Sequence, residues 1–360
     1  MKITPDLDLE RVCFLTRYGD VRAAAYDPST FSSMEMLLTR QRPSLSFAAA
    51  PISSDPPNHR QPRIIMASIF SRTIIDPLTP QIEELADELI EGLAGKFVFD
   101  GAAHYAGPLA ARAFSIFLGT PASDAEMLQD WARDVSRGSA QDVEVYVRAM
   151  VEIGRYLDRA IDSEPRPGSA LEGLLSYRKD GRRLKRARVI DMARLLIIAG
   201  SDTTAAVLGG AIHYLASHSD DRKALAADMS LLPVAIEEFL RLYTPVSPAR
   251  VLRKEVEIGQ RTRPAGDRVV LSFAAANRDP EAFENPDQVD FERIKNDHMA
   301  FGAGIHRCIG AHFARTQLRI GLGRWLAAYP HYRLLGDPIW SAGVIRGLQS
   351  LPLERTTADS

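Results

Sequence analysis

Cysteine is nearly absent from this chain. Its 360 residues hold two, Cys13 and Cys308, far apart in the sequence. A disulfide framework is therefore excluded, and a reducing, cytoplasmic setting is the expectation. An excess of one charge is lacking as well, since 44 Lys and Arg face 46 Asp and Glu for a formal net charge of -2. A dedicated nucleic-acid binder would need a clear cationic surplus, so no nucleic-acid partner is expected. No run of about 18 apolar residues goes without a charge, and no membrane-spanning helix is expected. The first residues, MKITPDLDLE, carry acids where a signal peptide would carry an apolar stretch. Internal repeats and low-complexity tracts are missing too. What remains, 46% hydrophobic and 25% charged residues, is the composition of an ordinary globular protein. The length admits two average domains or one large one.

Helical periodicity dominates the pattern. Ile82, Leu85, Leu89 and Leu93 recur at helical spacing between acids, and the stretch from Ala140 to Ile161 repeats the pattern. The segment Glu164 to Gly168 (EPRPG) reads as a break, and the basic run Arg182 to Arg188 as a solvated turn or helix approach. From Ala187 to Ser217 runs the longest apolar helical stretch, interrupted by Ala199-Gly200-Ser201-Asp202-Thr203-Thr204. Strand signals are few and late, at Arg250 to Gly259 and Asp267 to Phe273, and Asn277 to Arg293 looks extended and irregular. The expected class is mainly α with small β-sheets.

One decapeptide concentrates the chemistry. In Phe301-Gly-Ala-Gly-Ile-His-Arg-Cys-Ile-Gly310, three glycines permit tight turns and close backbone approach around a single cysteine. A helix is expected to follow at once, from Ala311 to Leu326, so Cys308 would sit at a helix N-terminus. Free N–H groups and the positive dipole end there favour a thiolate. A lone thiolate suits one axial bond to an iron; zinc would require several Cys or His ligands at short spacing. Cys13, between Val12 and Phe14, reads as a small buried hydrophobe.

The decapeptide resembles the haem-binding signature of the cytochromes P-450, and four further segments follow in that family's order. Ala199 to Thr204 is similar to its oxygen-activation motif, which implies catalytic roles for Asp202 and Thr203 in supplying protons. Glu238 and Arg241 (EEFLR), with Arg293, are similar to its ExxR triad, which implies a structural lock around the cysteine region. Asp55 to Arg63 (DPPNHRQPR) resembles the start of a helix that crosses the haem. The resemblance implies that His59, Arg63, Arg250 and His306 contact haem propionates, that Cys308 is the axial iron ligand, and that the cofactor is haem b, iron protoporphyrin IX. It further implies a substrate pocket lined by Leu195, Ile198, Ala199, Val246, Val344 and Ile345, with Arg42, Ser44 and Ser46 read as part of a solvated loop.

The fold implied is the cytochrome P-450 fold over 1–360 as a single domain. The family usually has tens of residues before the part matching Leu15 to Pro28, so fewer elements are expected on the substrate-access side. Ala303 and Pro62 also depart from the usual pattern. The activity implied is monooxygenation of a small, largely apolar organic substrate by O2. Electrons would come from a soluble ferredoxin or flavodoxin with an NAD(P)H-dependent reductase, since the chain shows no dinucleotide fingerprint of its own. Arg72, Arg307 and Arg315 are candidates for docking that donor. The alternative is a relative that catalyses oxidative coupling, ring closure or peroxide-driven oxidation; a haem-based sensor is the remaining reading.

Overall fold

A computed structural model describes residues 12–34, 49–259, 261–341 and 345–356. The chain opens on β1 (Val12–Leu15), α1 (Tyr18–Tyr26) and β2 (Phe31–Ser32). Helices α2 (Arg60–Ile69), α3 (Arg72–Ile75) and α4 (Thr79–Glu91) follow, then β3 (Val98–Asp100). A wide helical turn at Ala102–Ala106 leads into α5 (Gly107–Leu118). The periodic stretch expected from Ala140 to Ile161 is divided in two, α6 (Ala125–Gln141) and α7 (Val143–Asp162). The reason is Asp142, whose carboxylate accepts the N–H groups of Glu144 and Val145 at 2.9 and 3.2 Å and so starts a new helix.

After α8 (Ala170–Ser176) comes a small hairpin, β4 (Arg178–Lys179) and β5 (Arg182–Arg183). The long apolar stretch forms α9 (Arg186–Gly200) and α10 (Asp202–Ser217), broken at Ser201 inside the motif that interrupts its periodicity. By length and composition Arg186–Ser217 is apolar enough to cross a membrane, yet 67% of its most apolar window is buried within the protein. Its hydrophobicity is used in packing. Helices α11 (Ser219–Ala227) and α12 (Leu232–Leu242) complete this half.

Four strands follow: β6 (Ala249–Leu252), β7 (Val256–Ile258), β8 (Arg261–Arg263) and β9 (Arg268–Leu271). Next are α13 (Phe273–Ala276) and the irregular run expected before the cysteine loop, then α14 (Ala311–Ala328). The chain ends on β10 (Tyr332–Leu334), β11 (Ile339–Trp340), β12 (Leu348–Ser350) and β13 (Pro352–Arg355). The largest sheet has the order β1-β9-β6-β2, with β1 parallel to β9 and the other pairs antiparallel. One apolar core lies among the helices, and a smaller one, including Leu15, Val21, Leu252, Val269 and Leu271, lies under the sheet. Cys13, expected to be fully buried, is half-buried on the edge strand β1.

Candidate functional site

The loop before α14 is built by backbone contacts that its glycines allow. The N–H of Cys308 donates to the Phe301 carbonyl at 2.7 Å, and that of Gly302 to the Met299 carbonyl at 2.9 Å. Gly302 and Gly304 have φ of +68° and +67°, the left-handed region that side chains disfavour. At Gly304 a Cβ would stand 2.2 Å from the Ala25 carbonyl oxygen of α1. That neighbour is backbone and cannot rotate away. Gly304→Ala is therefore expected to cost about 2–4 kcal/mol, strain and overpacking together, read as a lower urea midpoint with unchanged slope.

Cys308 is a free thiol with an exposed side chain, although many protein atoms pack around it. Burial pushes the thiol pKa up, opposed by the Gly310 N–H and by the charges of Arg63, Arg307 and Arg315. Burial thus opposes the helix N-terminus, which favours a thiolate. A metal cation is the partner that such a site needs to hold sulfur ionised.

Two arginines and two imidazoles converge near Cys308. The rings of His59 and His306 meet edge to face with centroids 4.7 Å apart. Burial, then the nearby charges of Arg250 and His59, push His306 down to about 3. Arg250, placed by β6 and buried, is pushed down to about 10 by desolvation, and its guanidinium donates to the Ala249 carbonyl. Arg63 donates to the Arg307 carbonyl at 2.6 Å. Buried His59 Nε2 has no hydrogen-bond partner among the described residues. Asp55, the carboxylate facing this group, already accepts Ser32, the Ser33 N–H and Arg253. Among the described residues, four basic side chains thus share a region whose facing carboxylate, Asp55, is already engaged. That chemistry fits a group carrying two carboxylates, as a haem does, so the donor set and the lone thiol suit the implied cofactor.

An aromatic wall links this loop to the interrupted helix. The Phe114 ring lies 2.1 Å from where a Cβ on Gly200 would be, and Phe70 lies 3.3 Å from that of Gly310. Between them Phe117 packs at a tilt against Phe114, Phe70 and Phe313 at centroid distances of 6.0, 4.7 and 4.9 Å. At the interruption, Thr203 Oγ1 donates to the Ala199 carbonyl at 3.3 Å. Asp202 accepts Gln129 Nε2 at 2.8 Å and lies 3.3 Å from Arg133 Nε, both on α6. Asp202, Gln129, Arg133 and Ile345 border a cavity of about 520 Å³.

Of the expected pocket residues, Leu195 is buried, Ile198 half-buried and Ala199 exposed although Leu196 and Ile197 beside it are buried. Val246 and Ile345 form an isolated antiparallel bridge that joins two distant segments. Val344, Arg42, Ser44 and Ser46 lie outside the described residues.

Glu238 and Arg241 form a bidentate pair at 2.8 Å for both bonds, and Arg293 Nε joins Glu238 at 3.0 Å. Two partners were not foreseen: Asn296 Nδ2 at 2.9 Å and the Asp290 N–H at 3.0 Å. Arg72 and Arg307 are exposed. Arg315 is not free for docking, because Glu237 holds it at 2.6 Å through both oxygens and it lies 4.5 Å above the Phe301 ring. Gln129 and Arg133 carry no signal in the sequence beyond a polar helix face. Spacing within α6 cannot reveal what lies across from it.

The family model for cytochrome P-450 matches residues 127–333. The vitamin D(3) 25-hydroxylase of Pseudonocardia autotrophica is 35% identical over 95% of this chain and 87% of that protein. The cyclomarin C epoxidase CymV of Salinispora arenicola is 34% identical over 92% and 87%. Among solved structures, the LnmA cytochrome P-450 hydroxylase of the leinamycin pathway of Streptomyces atroolivaceus superposes with a TM-score of 0.83 at 34% identity, covering 95% of this chain and 89% of that one. With this architecture, a cysteine loop beside a cationic cluster and this degree of likeness, the chain belongs to the cytochrome P-450 family of haem-thiolate monooxygenases.

Proposed function

We propose that Cys308 is the axial ligand of a haem b and that His59, Arg63, Arg250 and His306 hold its propionates within a single domain spanning 1–360. The observation that carries this reading is the gathering of Arg63, Arg250, His59 and His306 near Cys308, where Asp55, the facing carboxylate among the described residues, is already engaged. When bound, the haem supplies activation of O2, so that one oxygen atom enters an organic substrate. Leu195, Ile198, Ala199, Val246 and Ile345 favour a compact, largely apolar substrate. Relatives named as a hydroxylase and an epoxidase support C–H or C=C bonds as the point of attack.

Protons reach the reaction through the break between α9 and α10. Asp202 borders the cavity beside α6, so its carboxylate takes a proton from water there, and the Thr203 hydroxyl hands it inward. Electrons come from a ferredoxin or flavodoxin served by an NAD(P)H-dependent reductase, in the cytoplasm.

Two measurements test the reading. Reduced protein under carbon monoxide should absorb at about 450 nm; a band at about 420 nm in folded protein would overturn thiolate ligation. Thr203→Ala should lower product formed per NADH by about tenfold and divert the electrons to hydrogen peroxide. Unchanged coupling would remove Thr203 from the proton path.

A further inference from the structure

Two adjacent glutamates on α12, Glu237 and Glu238, serve different networks. Neighbouring positions on a helix point about 100° apart, so the two carboxylates cannot share one set of partners. Glu238 belongs to the buried triad with Arg241 and Arg293. Glu237 has no part in that triad. It turns instead toward the cysteine loop, where it borders a cavity of about 530 Å³ together with Phe301, Arg307 and Arg315.

The contacts run from α12 to the thiol in three steps. Arg315 Nε and Nη2 donate to the two oxygens of Glu237, each at 2.6 Å. His298 Nδ1 accepts the Ala300 N–H at 3.2 Å, so Nε2 carries the proton and donates to Glu237 at 3.0 Å. Burial raises the pKa of Glu237, but the bonds from Arg315 and His298 overcome it and hold the carboxyl down to about 2. Glu237 is therefore a full negative charge at neutral pH. Arg315 in turn lies 4.5 Å above the Phe301 ring, and the Phe301 carbonyl accepts the Cys308 N–H at 2.7 Å.

Arg63, Arg307 and Arg315 are the cations whose charge reaches the Cys308 sulfur. Arg307 is exposed and Arg63 is turned to the Arg307 carbonyl, whereas Arg315 has a carboxylate across its guanidinium. Glu237 thus takes away much of one positive charge beside the loop. Ferrous iron is one unit less positive than ferric iron, so positive charge near its sulfur ligand favours reduction.

We propose that Glu237 is a positioning residue for the redox centre: it seats Arg315 on Phe301, cancels its charge, and so keeps the iron held by Cys308 harder to reduce. This rests on the reading of Cys308 as the axial haem ligand. Arg315 and Glu237 are 34% and 29% exposed, so water screens the pair. The effect is then about tenfold in the equilibrium constant for one-electron reduction, or about 59 mV.

The test is the midpoint potential of the haem-loaded, substrate-free protein, measured beside its urea midpoint and its carbon monoxide spectrum. Glu237→Gln keeps an oxygen for His298 and drops the charge; its potential should rise, favouring reduction about tenfold. Arg315→Gln should move the potential the opposite way, and Arg315→Lys, which keeps the charge, should hold the wild-type value. Glu237→Gln with Arg315→Gln has the wild-type sum of charges and should fall between the two single variants. The Arg315 variants carry the same test should Glu237→Gln fail to take up haem. A clamp with no electrostatic role would lower the urea midpoint and leave every potential at the wild-type value; that result overturns the proposal. So would shifts of the same sign in Glu237→Gln and Arg315→Gln. The carbon monoxide band reports on Cys308 separately. A band at about 450 nm with unchanged potentials refutes the role of Glu237 alone, and a band at about 420 nm in folded wild type refutes the axial ligand and the proposal with it.

Discussion

Cys308→Ala abolishes the band at about 450 nm in the reduced, carbon monoxide-bound protein and lowers oxygenation by about 1000-fold or more, while the chain stays folded. The fold should survive because the Cys308 side chain is exposed, and alanine keeps the backbone bond from the Cys308 N–H to the Phe301 carbonyl. The activity should not survive, because no other thiol is near. Cys13 is half-buried on β1, within the sheet that ends the smaller core, and Cys13→Ala should leave the spectrum unchanged. Carbon monoxide difference spectroscopy on both variants decides the matter. A thiolate band that persisted in Cys308→Ala would move the ligand elsewhere.

Glu238→Ala should lower stability by about 3–5 kcal/mol, a large share of the roughly 5–15 kcal/mol that holds a domain together. Glu238 and Arg241 are both fully buried. The carboxylate accepts from Arg241 twice and from Arg293, Asn296 and the Asp290 N–H once each. Alanine would leave Arg241 charged in the core. Its remaining partners, the carbonyls of Asn277, Pro286 and Gln288, are dipoles and cannot cancel a full charge.

Loss of stability would spread to the cofactor site. Glu238 ties down Asp290, Arg293 and Asn296, and the same segment continues through Met299, whose N–H donates to Asn277 Oδ1 at 2.7 Å. Glu238→Ala should therefore also retain less haem under purification. Urea unfolding followed by fluorescence and by Soret absorbance measures both effects. A variant with the wild-type midpoint and full haem content would show that the network is dispensable.

Features that depend on neighbours along the chain are legible in its order of residues. The i, i+3 spacing of Glu238 and Arg241 commits them to one face of α12, and burial of the pair follows from the apolar residues around them. The glycines at 302 and 304 announce a backbone that turns tightly and admits close approach, and both take positive φ. The polar interruption from Ala199 to Thr204 marks the point where the long apolar helix breaks, at Ser201. Each of these is a local preference, expressed within a few residues and at a fixed period.

Features that depend on what lies opposite have no such period, and packing alone assigns them. Asp202 is held by Gln129 and Arg133 from another helix, and Glu238 by Asn296 from an irregular segment. The wall of Phe114, Phe117, Phe70 and Phe313 joins three elements that the sequence scatters, α5, the end of α2 and α14. Arg315 has the sequence of a docking residue and the contacts of a structural one. The ionisation of Cys308 shows the limit most clearly. A helix N-terminus, visible in the chain, argues for a thiolate; the atoms packed around the thiol push its pKa the other way. Desolvation is a property of all surrounding atoms at once, and no local pattern of residues encodes it.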